Sequence, residues 1–198
     1  MDSPTDEQLI LKIQQGDDGS SFEQLYWRYQ HRVIAVAYGI LRNKEDAMEV
    51  AQESFVRVHR NIQRFQADTK FYTWIYRITV NLAIDVIRRR KKNQEVEFNT
   101  EFQKNITEAQ PLSPSRLGVN PAQVYLQKEL CEQLEIAMNS LSEKHRTIIV
   151  LRELEGLSYS EIAEILDISI GTVMSRLHNA RLNLQAALST YLKTGAHV

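Results

Sequence analysis

The sequence predicts an all-α protein of two helical units, and three observations carry that prediction. Apolar residues recur at intervals of three and four along the long segments, and no two-residue alternation persists. No proline occurs between Pro4 and Pro111, after which Pro111, Pro114 and Pro121 crowd together with Ser113, Ser115 and Gly118. The 198 residues, 43% hydrophobic and 25% charged, suffice for one or two packed cores and do not have the composition of a disordered chain. The proline cluster divides the chain into two bundles joined by a flexible linker.

The elements follow in order. A short acidic helix is expected from Asp6 to Gln15. The next is expected to start at Ser21, with Gln24 completing a capping box, and to bury Phe22, Leu25, Tyr29, Val33, Val36 and Ile40. A third begins near Asn43 and aligns Ala47, Val50, Ala51, Phe55, Val58 and Ile62. A fourth aligns Phe71, Trp74, Ile75, Ile78, Leu82 and Val86, and ends in the run Arg88 to Lys92, where a helix C-terminus welcomes cations. Beyond the prolines, Leu130, Leu134, Ala137 and Leu141 form one stripe, and Ile148, Leu151 and Leu154 another.

From Leu157 to Leu184 the pattern is a helix-turn-helix. Ser158 with Glu161 opens a short helix carrying Ile162, Ala163 and Leu166. Asp167-Ile168-Ser169 makes the connection, and Ser169 caps a second helix that buries Val173, Leu177, Ala180, Leu184 and Leu188. The units so drawn are an acidic helix over 1–20, a bundle over 21–93, a linker over 94–124, a second bundle over 125–192 and a tail over 193–198.

Composition excludes several functions. The longest nearly apolar stretch, Val33 to Leu41, has nine residues, far too few to span a bilayer. No basic-then-apolar leader opens the chain, so export is not expected. The single cysteine, Cys131, excludes an internal disulfide and a multi-cysteine metal site, and fits a reducing cytoplasm. At the edge of an apolar stripe, it is expected as a packing residue, not a nucleophile. His31, His59, His145, His178 and His197 show no paired ligand spacing, and no glycine-rich phosphate loop or nucleophile motif occurs. No catalytic residue, metal or cofactor is therefore expected, and the chain does not read as an enzyme.

Charge points instead to a polyanionic partner. Residues 1–25 hold six carboxylates against one lysine, a net of −5, whereas residues 55–93 hold ten Lys or Arg against two Asp, a net of +8. The acidic N-terminus could shield that basic face intramolecularly. Aromatic rings interleave with the cations at Phe65, Lys70, Phe71, Tyr72, Trp74, Tyr76 and Arg77. Phe71 and Trp74 belong to the core stripe and are expected to serve it, while Tyr72 and Tyr76 point elsewhere. Rings beside cations suit unstacked bases, each stack being worth about 1–3 kcal/mol.

The outer face of the last helix shows Thr172, Met174, Ser175, His178 and Asn179, flanked by Arg176 and Arg181, with Gly171 in the first turn. Those residues suit a major groove. A structural hairpin with a solvated outer face accounts for the same pattern.

Residues 46–90, DAMEVAQESFVRVHRNIQRF followed by FYTWIYRITVNLAIDVIRRR, resemble the second conserved region of bacterial sigma factors. Residues 141–184, LSEKHRTIIVLRELEGLSYSEIAEILDISIGTVMSRLHNARLNL, resemble their fourth. The short chain is similar to the extracytoplasmic-function group of the sigma-70 family. The resemblance implies a dissociable subunit that binds core RNA polymerase and directs it to promoters. It implies polymerase docking through Glu49, Gln52, Glu53, Phe55, Val56, His59 and Ile62. It implies capture of the −10 element's non-template strand, with melting, by Phe65, Asp68, Lys70, Tyr72, Trp74, Arg77, Ile78, Asn81, Arg88, Arg89 and Arg90. Extruding a base costs a few kcal/mol, which an aromatic-lined pocket returns, and the arginines make binding salt-sensitive. The helix-turn-helix, residues 159–178, would read duplex at −35 through Arg152, Tyr159, Gly171, Thr172, Met174, Ser175, Arg176, His178, Asn179 and Arg181.

Met174 and Asn179 stand where many members of that family carry basic residues, so the family's common −35 sequence does not transfer directly. Elements one and a half turns apart lie about 50 Å from each other. A flexible linker of about 30 residues reaches that far. The resemblance also implies an anti-sigma partner and a cytoplasmic chain, held by that partner at the inner membrane face. A free-standing regulator, binding duplex DNA tightly without polymerase, is the alternative reading.

Overall fold

The structure, a computed structural model, describes residues 3–17, 19–66, 68–97 and 121–194. Helix α1 (Asp6–Gln14) opens with a capping box in which Thr5 and Gln8 satisfy each other's backbone amides. It buries Leu9 and Ile10. Helix α2 (Ser20–Leu41) does not start with the expected Ser21–Gln24 box. The carboxylate of Asp17 accepts instead from the amides of Gly19 (2.7 Å) and Ser21 (3.4 Å) and from the Ser21 hydroxyl. Gly19, at φ 99°, supplies the left-handed turn that lets the acid reach them.

Arg42 closes α2 in a left-handed cap at φ 56°, its amide bonded to the Tyr38 carbonyl at 2.8 Å. Asn43 caps α3 (Lys44–Asn61), which runs into a 3₁₀ turn over Ile62–Arg64. Helix α4 (Phe71–Glu97) continues five residues beyond the basic run that was expected to end it. The expected linker over 94–124 therefore meets α4 at one end and α5 at the other, and its 98–120 stretch lies outside the described residues.

Helices α2, α3 and α4 form the N-terminal bundle around Val33, Val36, Ile40, Val58, Ile75 and Val80. One polar pair lies inside it and is satisfied. Thr79 donates to the Ser54 hydroxyl at 3.1 Å, and Ser54 donates to the Val50 carbonyl at 2.7 Å.

The C-terminal unit comprises α5 (Pro121–Ser140), α6 (Glu143–Ile149), α7 (Tyr159–Leu166) and α8 (Ile170–Thr194). Only the C-terminal part of the α5 stripe packs: Ala137 and Leu141 are buried, whereas Leu130 and Leu134 are exposed, as is Cys131, which was expected to pack. Helix α6 widens into one π turn, Val150–Leu154, closed by the Glu155 amide on the Val150 carbonyl. The wider turn rotates later residues out of α-helical register. Leu154, expected in the core, is thereby turned out to solvent. Gly156, at φ 69°, leads the chain into α7.

The helix-turn-helix forms as expected. Ser158 and Glu161 make the capping box, Asp167 turns in a left-handed conformation, and Ser169 accepts from the Thr172 amide at 3.1 Å. Both units share one apolar core through Val150, Leu151 and Leu157. Gly39 of α2 faces Val150, and a Cβ built there would fall 2.7 Å from the valine methyl. No helix among the described residues is long and apolar enough to cross a membrane.

Candidate nucleic-acid interface

The turn after α3 and the start of α4 enclose a cleft of about 440 Å³. Of the expected single-strand residues, the fold brings Phe65, Asp68, Trp74 and Ile78 together on its walls. The Phe65 and Trp74 rings lie 4.9 Å apart at 43°, leaving a mixed aromatic face toward the opening. Trp74, expected chiefly to serve the core, is half-buried and lines this cleft. Arg57, Asn61, Arg64, Gln66 and Thr69 complete the wall and were not singled out from sequence. Arg57 and Asn61 lie one helical turn apart, a spacing that could have placed both beside Arg64.

The other expected strand-binding residues lie elsewhere. Lys70, Tyr72 and Arg77 face the C-terminal unit. Tyr72 donates to the Glu161 carboxylate, Lys70 pairs with the same carboxylate at 3.2 Å, and Arg77 bonds the Glu164 carbonyl at 3.1 Å. Thr69 donates to the Glu164 side chain. Asn81 is exposed on α4, Arg88 lies 3.6 Å from Asp85, Arg89 is exposed, and Arg90 pairs with Asp46 of α3. Lys91 reaches Glu143 of α6 at 3.0 Å.

The closed arrangement is a row of such contacts. Arg32 donates to Glu155 at 2.9 Å, and Tyr76 donates to the same carboxylate, whose side chain is only 3% exposed. Tyr38 and Arg42 both donate to Glu135, at 2.9 and 2.8 Å. Tyr76 was expected to point away from the core, but it is fully buried. Burial and the Glu155 hydrogen bond push its phenol far above the ordinary range. Glu161 is held down at about 2, chiefly by the hydrogen bond from Tyr72, with the Ser158 capping bonds adding to it.

Among the described residues, Asp6 does not provide the shielding expected from the acidic N-terminus. Asp6 is taken up by Arg28 and Tyr29 of α2, so α1 lies along α2 and the 3₁₀ turn. The acids that pair across to the N-terminal bundle are Glu135 of α5, Glu143 of α6, Glu155 just after the π turn, and Glu161 and Glu164 of α7.

A second cleft, about 520 Å³, runs between α2 and α3. Gln52, Phe55, Val56 and His59 line it, with Phe22, Tyr26 and the exposed Met48 opposite or beside them. Glu49 and Glu53 stand outside it, Glu53 paired with Arg57 at 2.9 Å. Ile62, expected at a docking surface, is buried in the core because the 3₁₀ turn tucks it under α1.

On α8 the outward face is formed as expected. Gly171, Met174, Ser175, His178 and Asn179 are exposed, Met174 by 53%. Thr172 and Arg176 are half-buried, and the Thr172 hydroxyl lies 2.8 Å from Ser169 Oγ. Two of the expected −35 residues have intramolecular work. Arg152 donates to the Leu157 carbonyl at 2.6 Å and stacks on Tyr159, 5.2 Å from the ring centroid. Arg181 pairs with Glu153 at 2.6 Å.

Comparison with known proteins bears on both faces. A family model described as Sigma-70 region 2 matches residues 25–93, and one described as Sigma-70, region 4 matches 131–184. The RNA polymerase sigma-H factor of Pseudomonas aeruginosa is 31% identical over 95% of this chain and 96% of its own. The ECF RNA polymerase sigma factor SigW of Bacillus subtilis is 34% identical over 90% and 94%. The ECF RNA polymerase sigma-E factor of Escherichia coli is 35% identical over 89% and 91%. Among solved structures, the sigma factor RpoE of Bartonella quintana, in complex with the anti-sigma factor NepR, superposes with a TM-score of 0.66. It is 22% identical, with 85% of this chain and 96% of that one covered. CnrH, in complex with the cytosolic domain of CnrY, gives 0.65 at 23% identity over 93% and 97%. These two likenesses establish the fold.

Proposed function

We infer the function from one premise: the chain belongs to the sigma-70 family of RNA polymerase sigma factors, in its extracytoplasmic-function group. It binds core RNA polymerase and directs promoter-specific initiation of transcription. The observation that carries this reading is that both regions occur in order in one chain that spans nearly the whole of its relatives.

Three surfaces divide the work. The cleft between α2 and α3 docks on polymerase through Gln52, Phe55, Val56 and His59, with Glu49 and Glu53 on its flank. The cleft at Phe65 and Trp74 takes a base of the −10 non-template strand. A ring on one wall offers a stacking surface, while Arg57, Arg64 and Asn61 offer donors to phosphate and base edges. The exposed face of α8, from Gly171 to Asn179, enters the major groove at −35, with Met174 giving an apolar contact where a cation would bind phosphate or guanine.

Strand capture by Lys70, Tyr72 and Arg77 requires that α7 leave them, because Glu161 and Glu164 occupy the same donors. Polymerase, by holding the two units at separated DNA elements, supplies that opening. An anti-sigma factor, as NepR is for RpoE of Bartonella quintana, is the partner expected to keep the chain inactive. The chain carries no catalytic chemistry of its own and works in the cytoplasm.

Run-off transcription tests this reading: purified chain is added to sigma-free core polymerase on a library of promoter-like DNAs. Selective initiation is expected, and its starts give the −10 and −35 sequences. Absence of core binding and of initiation, with tight duplex binding by the chain alone, would favour a free-standing regulator.

A further inference from the structure

The loop that walls the aromatic cleft is anchored from an unexpected place. The side-chain amide of Gln14, the last residue of α1, donates to two carbonyls at once, Ile62 and Phe65, both at 3.0 Å. Those carbonyls bracket the 3₁₀ turn that delivers the chain into the cleft, and the turn's own bond joins the Phe65 amide to the Ile62 carbonyl at 3.1 Å. Gln63 returns the contact, donating to the Ile13 carbonyl at 3.0 Å. Ile62, Leu9 and Ile10 are all buried in the core where α1 packs on this turn, so apolar packing backs the three hydrogen bonds.

We propose that Gln14 is a positioning residue for strand capture, fixing the Phe65 carbonyl and hence the ring that pairs with Trp74. The proposal rests on the reading of the cleft as the base-binding site. The chemistry explains why a primary amide stands there. One –NH₂ group carries two donors at a wide angle, which suits two carbonyls on successive turns of backbone. A carboxylate of the same size would present lone pairs to both carbonyls, and asparagine would be one methylene short.

The far end of the same loop is held differently. Thr69 and Lys70 bond Glu164 and Glu161 of α7, contacts that DNA must displace. When α7 departs, the loop's upstream end keeps its anchor on α1, so Phe65 is already placed as Thr69 and Lys70 become free. Preorganisation of this kind lowers the ordering cost of binding.

The test uses the full chain with core polymerase. Its probes are forked promoter DNAs carrying either a base or an abasic sugar at each non-template position of the −10 element. Gln14→Glu removes both donors at constant size, and Gln15→Glu makes the same charge change one residue on. Backbone amide exchange over residues 63–66 should rise about tenfold in Gln14→Glu and not in Gln15→Glu. The preference for the base over the abasic sugar should fall by a similar factor, with core affinity unchanged.

Equal exchange and equal base preference in the two variants would overturn the clamp. Faster exchange with undiminished base preference would overturn the positioning role. Phe65→Ala checks the underlying reading: if it keeps the base preference, the cleft is not the base site and the positioning role falls with it. The exchange result then still stands as a measure of the clamp alone.

Discussion

Tyr72 and Glu161 form the contact on which two competing states meet. In the closed chain the phenol holds the carboxylate at about 2 instead of the ordinary 4.5, so the bond is fully present above pH 4.5 and is lost as pH falls through about 2. Tyr72→Phe should raise the Glu161 titration midpoint toward the ordinary value, read by NMR of the side-chain carboxyl. On the proposed reading Trp74 acts in the other state. Trp74→Ala removes a stacking surface worth about 1–3 kcal/mol, so single-strand affinity of the polymerase-bound chain should fall about tenfold or more, measured by anisotropy. The Tyr72 and Trp74 pattern was visible in the sequence as rings among cations, but their environments were not. Tyr76 shows why: its partner Glu155 lies 79 residues away, and helical periodicity carries no information about a contact of that range.

The helices themselves were largely legible, because caps and apolar stripes are local. Asn43 and Ser158 start α3 and α7 where the residue types require. The failures have local causes as well. At α2 a stronger acceptor, Asp17, takes the Ser21 amide that the Gln24 side chain would have capped, and the Ser21 hydroxyl with it. After α6 the π turn shifts the register, exposing Leu154 and swinging Glu155 under Arg32 and Tyr76. Gly39 gave no sequence signal, since its role is the absence of a side chain against Val150. Gly39→Ala favours the helix by roughly 1 kcal/mol yet places a methyl where the two units touch. It should leave α2 intact by circular dichroism and loosen the closed form, read as faster tryptic cleavage after Arg77.

At the scale of the molecule, two charged faces have more than one partner each. The +8 stretch was read as a nucleic-acid surface shielded by the acidic N-terminus, whereas Lys70, Arg77 and Lys91 within it bond Glu161, Glu164 and Glu143. Glu135, Glu143, Glu155, Glu161 and Glu164 are spread over 30 residues with basic neighbours between them, so no acidic run announced the face that folding assembles. The cations of the Lys70, Arg77 and Lys91 pairs are exposed, so these pairs are weak, which suits a contact that polymerase and DNA must displace. Glu161→Gln with Glu164→Gln should therefore raise single-strand binding by the chain alone several-fold at low salt, with the gain shrinking as salt screens both states.

The most direct measurement is the distance between the two units before and after they engage polymerase. In a Cys131→Ser background, a donor dye at Lys12→Cys and an acceptor at Gln185→Cys report it by energy transfer. High transfer in the chain alone, falling on addition of core polymerase and promoter DNA together with active initiation, is the predicted result. Transfer that stays high in an initiating complex would contradict the account, because Lys70, Tyr72 and Arg77 would then remain on α7 while the promoter melts.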